Sequence, residues 1–314
     1  MNKILPLLLF MSFCLASWAQ NTVGLLSYDP SQTYEGYNLI YPHNQPSVLL
    51  LNNCGEIVHR WDDAPDSRPG NTAYLLEDGR IVKTKRNASI AGDAIWAGGG
   101  GATIEIRDWD NNLEWSYTIN NDTARLHHDI ALTNDGNILA IVWELKTQED
   151  AIQAGRNPAL LPEGELWPDY IVELEPVGTD QVNVVWEWHA WDHLVQDFDA
   201  TKDNFGTINT SQEKININYV FQDGAADWMH SNALDYDPFN DHIMLSVPNF
   251  GEIWIIDHST TTEEAAGSSG GFSGRGGDLL WRWGNDAAFQ QGTEMDQKLF
   301  YQHDAQWVDD FLDF

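Results

Sequence analysis

The sequence runs to 314 residues, 42% of them hydrophobic and 15 of them tryptophan, enough for the core of one large all-β domain or two ordinary ones. Aspartate and glutamate number 48 against 16 lysine and arginine, a formal net charge of −32. A surface this acidic repels nucleic acid and anionic lipid, and it requires any anionic substrate to enter through a locally positive pocket.

At the N-terminus, Lys3 precedes the apolar run Ile4 to Leu15, and Ser17-Trp18-Ala19 supplies small residues at a cleavage site. This pattern predicts a signal peptide over residues 1–19, cleaved to release a mature chain of residues 20–314 into the periplasm or outside the cell. No later segment is long and apolar enough to anchor that chain in a membrane. Of the two cysteines, only Cys54 would remain, too few for an internal disulfide; beside the Gly55-Glu56 turn it reads as a buried, inert thiol.

Beyond the leader, one pattern recurs. Val48 to Leu51 and Glu56 to Trp61 read as the outer pair of strands of a first unit. The next unit opens at Asn71, turns at Asp78-Gly79, returns through Ile81 to Thr84, and continues through Thr103 to Asp108 and a strand ending in Trp115. A third opens at His128, turns at Asp135-Gly136, and runs through Ile138 to Val142, Tyr170 to Leu174 and Val184 to Trp188. A fourth opens at His230, turns over Pro238 to Asp241, and runs through Ile243 to Val247, Glu252 to Asp257 and Leu279 to Trp283. Asp-Gly between apolar runs is a hairpin signal, and alternation of apolar and polar residues marks half-buried strands. Four antiparallel strands repeated in this way predict an all-β fold, a β-propeller of four-stranded antiparallel blades. A β-sandwich would not account for the recurring first residue and the recurring terminal tryptophan.

The segments between strands read as loops. Gly98 to Gly101 lacks the spacing and following helix of a phosphate loop and reads as a turn. The stretch from about Asp192 to Asp227 reads as a long loop, and Gly267 to Gly277 as a flexible one. Trp186 with Trp188, and Trp281 with Trp283, sit on last strands and read as packing between blades. The final unit opens at His303 and the sequence stops at Phe314, so the propeller is expected to be partial, lacking C-terminal blades.

In a propeller the first strand of each blade lines a central channel. His128, His230 and His303 hold one register at the start of that strand, with Asn71 in the matching position, so the three imidazoles should converge. Strand alternation turns Asp129 and Asp304 away from them, which disfavours a metal site, and turns His127 away from His128. Converging imidazoles can serve as nucleophile, base and anion binder, and a protonated one supplies the positive pocket that the acidic surface demands.

Several runs together resemble the arylsulfotransferase family: Leu126-His-His-Asp-Ile130, Trp188 to Phe198, Asp227-Trp-Met-His-Ser-Asn232, Glu252 to Thr262, Gly276 to Asn285 and Tyr301-Gln-His-Asp-Ala-Gln-Trp307. The resemblance covers most of Gly36 to Trp307. It implies a six-bladed periplasmic propeller that moves a sulfuryl group from an aryl sulfate to a phenol. It implies no nucleotide, no metal and no other cofactor, and a sulfated histidine as intermediate. By motif, His303 would be the nucleophile, His128 and His230 would bind sulfuryl oxygens or shuttle the phenolic proton, and Asn232 would hydrogen-bond the group. One departure stands out: Pro248 falls where the family commonly has an arginine. Lys85 and Arg86 are the nearest replacement cations by strand position. Two other readings compete with the enzyme, namely a non-catalytic exported propeller that binds polyanions or proteins, and a metal-dependent lyase or hydrolase on the same scaffold.

Overall fold

The structure is a computed structural model and describes residues 25–86, 91–221 and 224–308. The predicted leader, residues 1–19, and the chain end at Phe314 lie outside the described residues.

Four antiparallel sheets follow one another along the chain. The first has three strands, β1 (Tyr37–Ile40), β2 (Ser47–Asn52) and β3 (Ile57–Asp62), in that order. The second has four, β4 (Arg68–Leu75), β5 (Ile81–Arg86), β6 (Thr103–Arg107) and β7 (Leu113–Thr118). The third begins with β8 (Ala124–Leu132) and β9 (Ile138–Glu144). It is interrupted by an excursion containing β10 (Lys146–Thr147), a short helix (Gln148–Gln153) and β11 (Glu165–Leu166), and resumes with β12 (Asp169–Val177) and β13 (Gln181–His189). Its strands pair in the order β8-β9-β12-β13. After β14 (Leu194–Val195) and β15 (Ile215–Asn216), which pair in parallel, the fourth sheet runs β16 (Ala233–Asp237), β17 (His242–Val247), β18 (Glu252–Asp257) and β19 (Trp281–Trp283).

The second, third and fourth sheets thus match the four-strand units expected from the sequence, in strand count and order. The central strands are covered on both faces: all of β9 up to Trp143 is buried. The outer strand β13 is exposed at its start, as an edge should be. The stretch expected to be a loop between Asp192 and Asp227 is pinned instead. Its β14–β15 pair and the buried Ile208, Ile215 and Ile217 tie it to the core. Apolar residues at those positions do not alternate long enough to read as strands. Cys54 also departs from expectation. It is exposed, because it sits in the tight hairpin turn closed by Gly55 N–H to Asn52 O rather than in the strand behind it.

First strands of successive sheets lie side by side. β8 packs against both β4 and β16, and β1 packs against β4. Tryptophans join the outer parts of the sheets. Trp61 on β3 donates its indole N–H to Asp108 O beside the second sheet (3.0 Å), and Trp115 on β7 donates to Gln181 O on the third (2.9 Å). Trp188 on β13 donates to Gly277 O, just before β19 of the fourth (2.7 Å). These three buried indoles therefore each spend their one polar atom on the next sheet. Trp186 follows the same rule through Thr260, whereas Trp281 and Trp283 are about half exposed and do not bury between sheets. No helix among the described residues is long and apolar enough to cross a membrane.

Candidate active site

Where β4 and β8 approach each other, both ladders lapse. Pairing of β4 with β5 shifts between Pro69 and Ala73, and pairing of β8 with β9 shifts between Leu126 and Ile130. The freed residues are Gly70 to Thr72 in one strand and His127 to Asp129 in the other. A bulge re-aims side chains that strict alternation would send elsewhere. His128 takes a left-handed backbone conformation (φ 49°), as do His230 just before β16 (φ 56°) and Asp304 beside His303 (φ 59°). Such backbones are uncommon outside glycine, and three of them at one place mark a site held by its surroundings.

The result is a cavity of ≈ 560 Å³ where the sheets meet. His128, His230 and His303 all line it, together with Asn71 and Asn232. The rings of His128 and His230 meet edge to face at 4.5 Å between centroids. Tyr301 links the other two, 6.0 Å from His230 and 5.4 Å from His303. His303 is exposed, and its Nδ1 donates to the carbonyl of Tyr301 (3.2 Å). A carbonyl can only accept, so this contact places a proton on Nδ1, and in the neutral ring the lone pair is then on Nε2. Asn232 lends one amide N–H to Gln302 O (2.8 Å), which holds the segment carrying His303 against the β16 end.

The environments of the histidines differ. Nδ1 of His230 binds Asp227 Oδ2 in a short, charge-assisted contact. Burial alone would depress His230, but that hydrogen bond and the charges of Asp227 and Asp169 outweigh it and raise its pKa. His128 is pushed well below the usual imidazole value, by burial first and then by the neighbouring His127, His230, His303 and His43. Asp129 accepts from Tyr74 Oη (2.8 Å) on β4 and from Leu234 N–H (3.1 Å) on β16, and burial raises its pKa to about 6.

Three sequence expectations need correction. Asp129 and Asp304 are not turned away from the histidines. Both line the same cavity, because the left-handed residues break the alternation. His127 is not remote from His128 either, since their Nδ1 atoms lie 2.9 Å apart. Lys85 and Arg86 are not brought to the cavity. Lys85 Nζ binds Glu105 across the β5–β6 pair, and the Arg86 guanidinium lies over the Trp96 ring at 5.8 Å. Pro248 is buried and accepts from Gly251 N–H in the β17–β18 turn. Among the described residues that line the cavity the basic side chains are histidines, His43, His128, His230 and His303.

Sequence reasoning also passed over residues that shape the site. Gly98 and Gly99, read as part of a simple turn, form cavity wall, Gly99 beneath the His128 ring and Gly98 facing His230, and Asn71 Nδ2 donates to Gly99 O. Asp227, three residues before His230, gave a usable signal in its spacing. His43 precedes every recurring unit and gave none. A second cavity of ≈ 530 Å³ shares His230 with the first and is walled by Trp228, Phe221 and Tyr301. Among the described residues, no group of three or more His, Cys, Asp or Glu is arranged to hold a metal ion.

Comparison with known proteins gives one family. The model of the arylsulfotransferase (ASST) family matches residues 45–310. Among solved structures, the chain is similar to hydrazine synthase of Kuenenia stuttgartiensis, at 12% identity and a TM-score of 0.41 over 78% of this chain and 58% of that one. It is also similar to a Bacteroides fragilis protein provisionally assigned as a 6-phosphogluconolactonase, at 12% identity and a TM-score of 0.32 over 81% of this chain and 69% of that one. The chain thus spans less than two thirds of the hydrazine synthase chain that it matches. Among curated proteins no match was found.

Proposed function

Because the chain belongs to the arylsulfotransferase family, we propose that it is an exported β-propeller that transfers a sulfuryl group from an aryl sulfate to a phenol through a sulfated His303. One observation carries the reading: His128, His230 and His303, from three separate segments, line one cavity. The side-by-side first strands and the sheet-to-sheet tryptophan bonds support the propeller, since radial repetition needs both an inner contact and an outer one. The leader motif supports cleavage after about Ala19 and a periplasmic or secreted location.

In the first step, Nε2 of His303 attacks sulfur in line, the bond from sulfur to the aryl oxygen breaks, and His230 gives its Nε2 proton to the departing phenolate. Asp227 suits His230 to this role by raising its pKa and so favouring its protonated form. The imidazolium also meets the charge of the sulfuryl oxygens, in a cavity whose basic side chains among the described residues are histidines. In the second step the acceptor oxygen attacks sulfur, the bond from sulfur to nitrogen breaks with its electron pair returning to His303, and the phenolic proton passes to an imidazole of the cavity. Donor and acceptor are small aromatic molecules, and the chemistry calls for no nucleotide, metal or other cofactor.

Incubation of the whole chain with 4-nitrophenyl sulfate, followed by peptide mass spectrometry, tests the reading. One sulfuryl group should appear on His303 and be lost when a phenol is added. His303→Asn should abolish both the adduct and 4-nitrophenol release, and His230→Gln should slow release by about 10²–10⁴-fold. Absence of any adduct on the wild-type chain would favour the non-catalytic binding propeller instead.

A further inference from the structure

Behind the cavity wall lies a closed set of polar groups that neither step above uses. His127 is buried and stacks flat on Trp143, 3.9 Å between centroids. On one side its Nδ1 stands 2.9 Å from Nδ1 of His128. On the other its Nε2 faces Oδ1 of Asp169 at 3.3 Å, both side chains wholly buried. Neither of those two atoms has a hydrogen-bond partner among the described residues. Buried polar atoms left unpartnered are costly, and these two face each other; the buried Ser231 hydroxyl also acts on the Asp169 carboxyl and lowers its pKa. The remaining carboxylate oxygen, Oδ2, is held by the N–H of Ser231 (2.8 Å), beside His230. From the cavity inward the order is His128, His127, Asp169.

We propose that His128, His127 and Asp169 form a proton relay that draws the hydroxyl proton of the acceptor phenol out of the cavity and stores it on the buried carboxyl. The identity of the proton donor rests on the sulfotransfer reading; the relay itself rests on the three side chains. With Asp169 ionised, His127 carries its proton on Nε2, toward the carboxylate. Its Nδ1 then accepts from Nδ1–H of His128, and Nε2 of His128, over Gly99 on the cavity wall, presents a bare lone pair. As the acceptor oxygen bonds to sulfur, that nitrogen takes the phenolic proton. The Nδ1 proton of His128 passes to Nδ1 of His127, and the Nε2 proton of His127 passes to Oδ1 of Asp169. One O–H bond breaks, another forms, and neither imidazole ends charged.

The electrostatics agree with this direction. Burial raises Asp169 to about 7 and depresses both His127 and His128, so the carboxyl is the member on which a proton can rest near neutrality. The other charged groups facing the chain are Asp227, His230 and Arg125 at His127, His230, His303 and His43 at His128, and His230 and Glu144 at Asp169.

The ring nitrogens of His128, followed by NMR in whole protein labelled with ¹⁵N-histidine from about pH 5.5 to about pH 9, test the relay without any turnover. His128 should stay neutral, carrying its proton on Nδ1 at high pH and on Nε2 at low pH. In Asp169→Asn the carbonyl oxygen keeps the Ser231 N–H and the amide NH₂ faces His127, which should lock His128 as the Nε2–H tautomer at every pH. The same variant should transfer sulfuryl groups to phenols about 10²-fold more slowly, with a deficit that grows with the pKa of the phenol. A single His128 tautomer throughout in the wild-type protein would overturn the relay, and so would a switch that persists in Asp169→Asn. Should the variant not fold, the wild-type titration alone decides. A tautomer switch in a protein that never sulfates His303 would uphold the relay and overturn the sulfotransfer reading.

Discussion

A methyl group on Gly99 would stand 2.1 Å from Nε2 and Cε1 of His128, closer than any real side-chain contact. Gly99 also has φ of +78°, so an alanine there carries backbone strain in addition to the clash. Gly136 separates the two effects. Its φ is +84°, but nothing lies within 4 Å of the position its Cβ would take. Both Gly→Ala changes should cost about 1–2 kcal/mol for the left-handed backbone, measured by chemical denaturation. Only Gly99→Ala should also displace the His128 ring, which would appear as a loss of sulfuryl transfer to phenols that Gly136→Ala does not share. A single residue type, glycine, therefore serves a hairpin turn in one place and the floor of the candidate site in another. From the sequence the two roles look alike, since four consecutive glycines carry no periodicity. The distinguishing information is the approach of a ring from a different sheet. Asp227 was more legible: an acid three residues before a histidine is a recognisable pairing distance even without coordinates.

At the scale of the strand, what the sequence discloses is pairing, and what it hides is the interruption of pairing. The apolar residues of β5, β6, β9, β12, β17 and β18 mark them as strands, because each is buried along most of its length, as short apolar runs covered on both faces are. Pro69-Gly70 marks the bulge in β4, but the one in β8 leaves no such mark, since neither proline nor glycine announces it. Applied across residues 127–129, strict alternation separates His127 from His128, whereas the bulge brings them together. Polar pairs buried between strands are also hidden in the sequence. Glu252 at the start of β18 is fully buried, accepts from the Trp254 indole N–H (2.7 Å) and binds the guanidinium of Arg282 on β19. Removing one member leaves a buried charge without its partner. Arg282→Met should therefore destabilise the protein by about 3–5 kcal/mol, and the Glu252→Gln, Arg282→Met double variant should recover a large part of that loss. Urea unfolding of the two variants and of Glu252→Gln alone closes the cycle; purely additive costs would mean that the pair acts only through packing.

Across the whole molecule, the seam between the third and fourth sheets depends on a histidine. His258, at the end of β18, places Nδ1 2.7 Å from Asp241 in the β16–β17 turn and Nε2 3.0 Å from Glu173 on β12. It also packs edge-on against Trp186, whose indole N–H crosses the same seam to Thr260. Burial by itself would lower the pKa of His258, but its hydrogen bonds to Glu173 and Asp241 prevail and raise it. A raised folded value means that the imidazolium's contribution is fully present below the unfolded value of about 6.5 and is lost as pH rises through the folded one. Glu173 has the opposite sign. Burial would raise it, yet His258 and Asn137 hold it low, so its contribution is present above the ordinary carboxyl range and fades as pH falls through its folded value. Both contributions overlap on the mildly acidic side of neutrality. His258→Gln should thus cost about 1.5–3 kcal/mol at about pH 6, the range for a charge-assisted hydrogen bond, and progressively less as pH is raised toward about 9. Unfolding free energies of the wild-type and variant proteins across that range measure the difference. If the cost were the same at both ends, His258 would be joining the sheets as a neutral, packed ring, and the tryptophan bonds would be left as the main polar link between them.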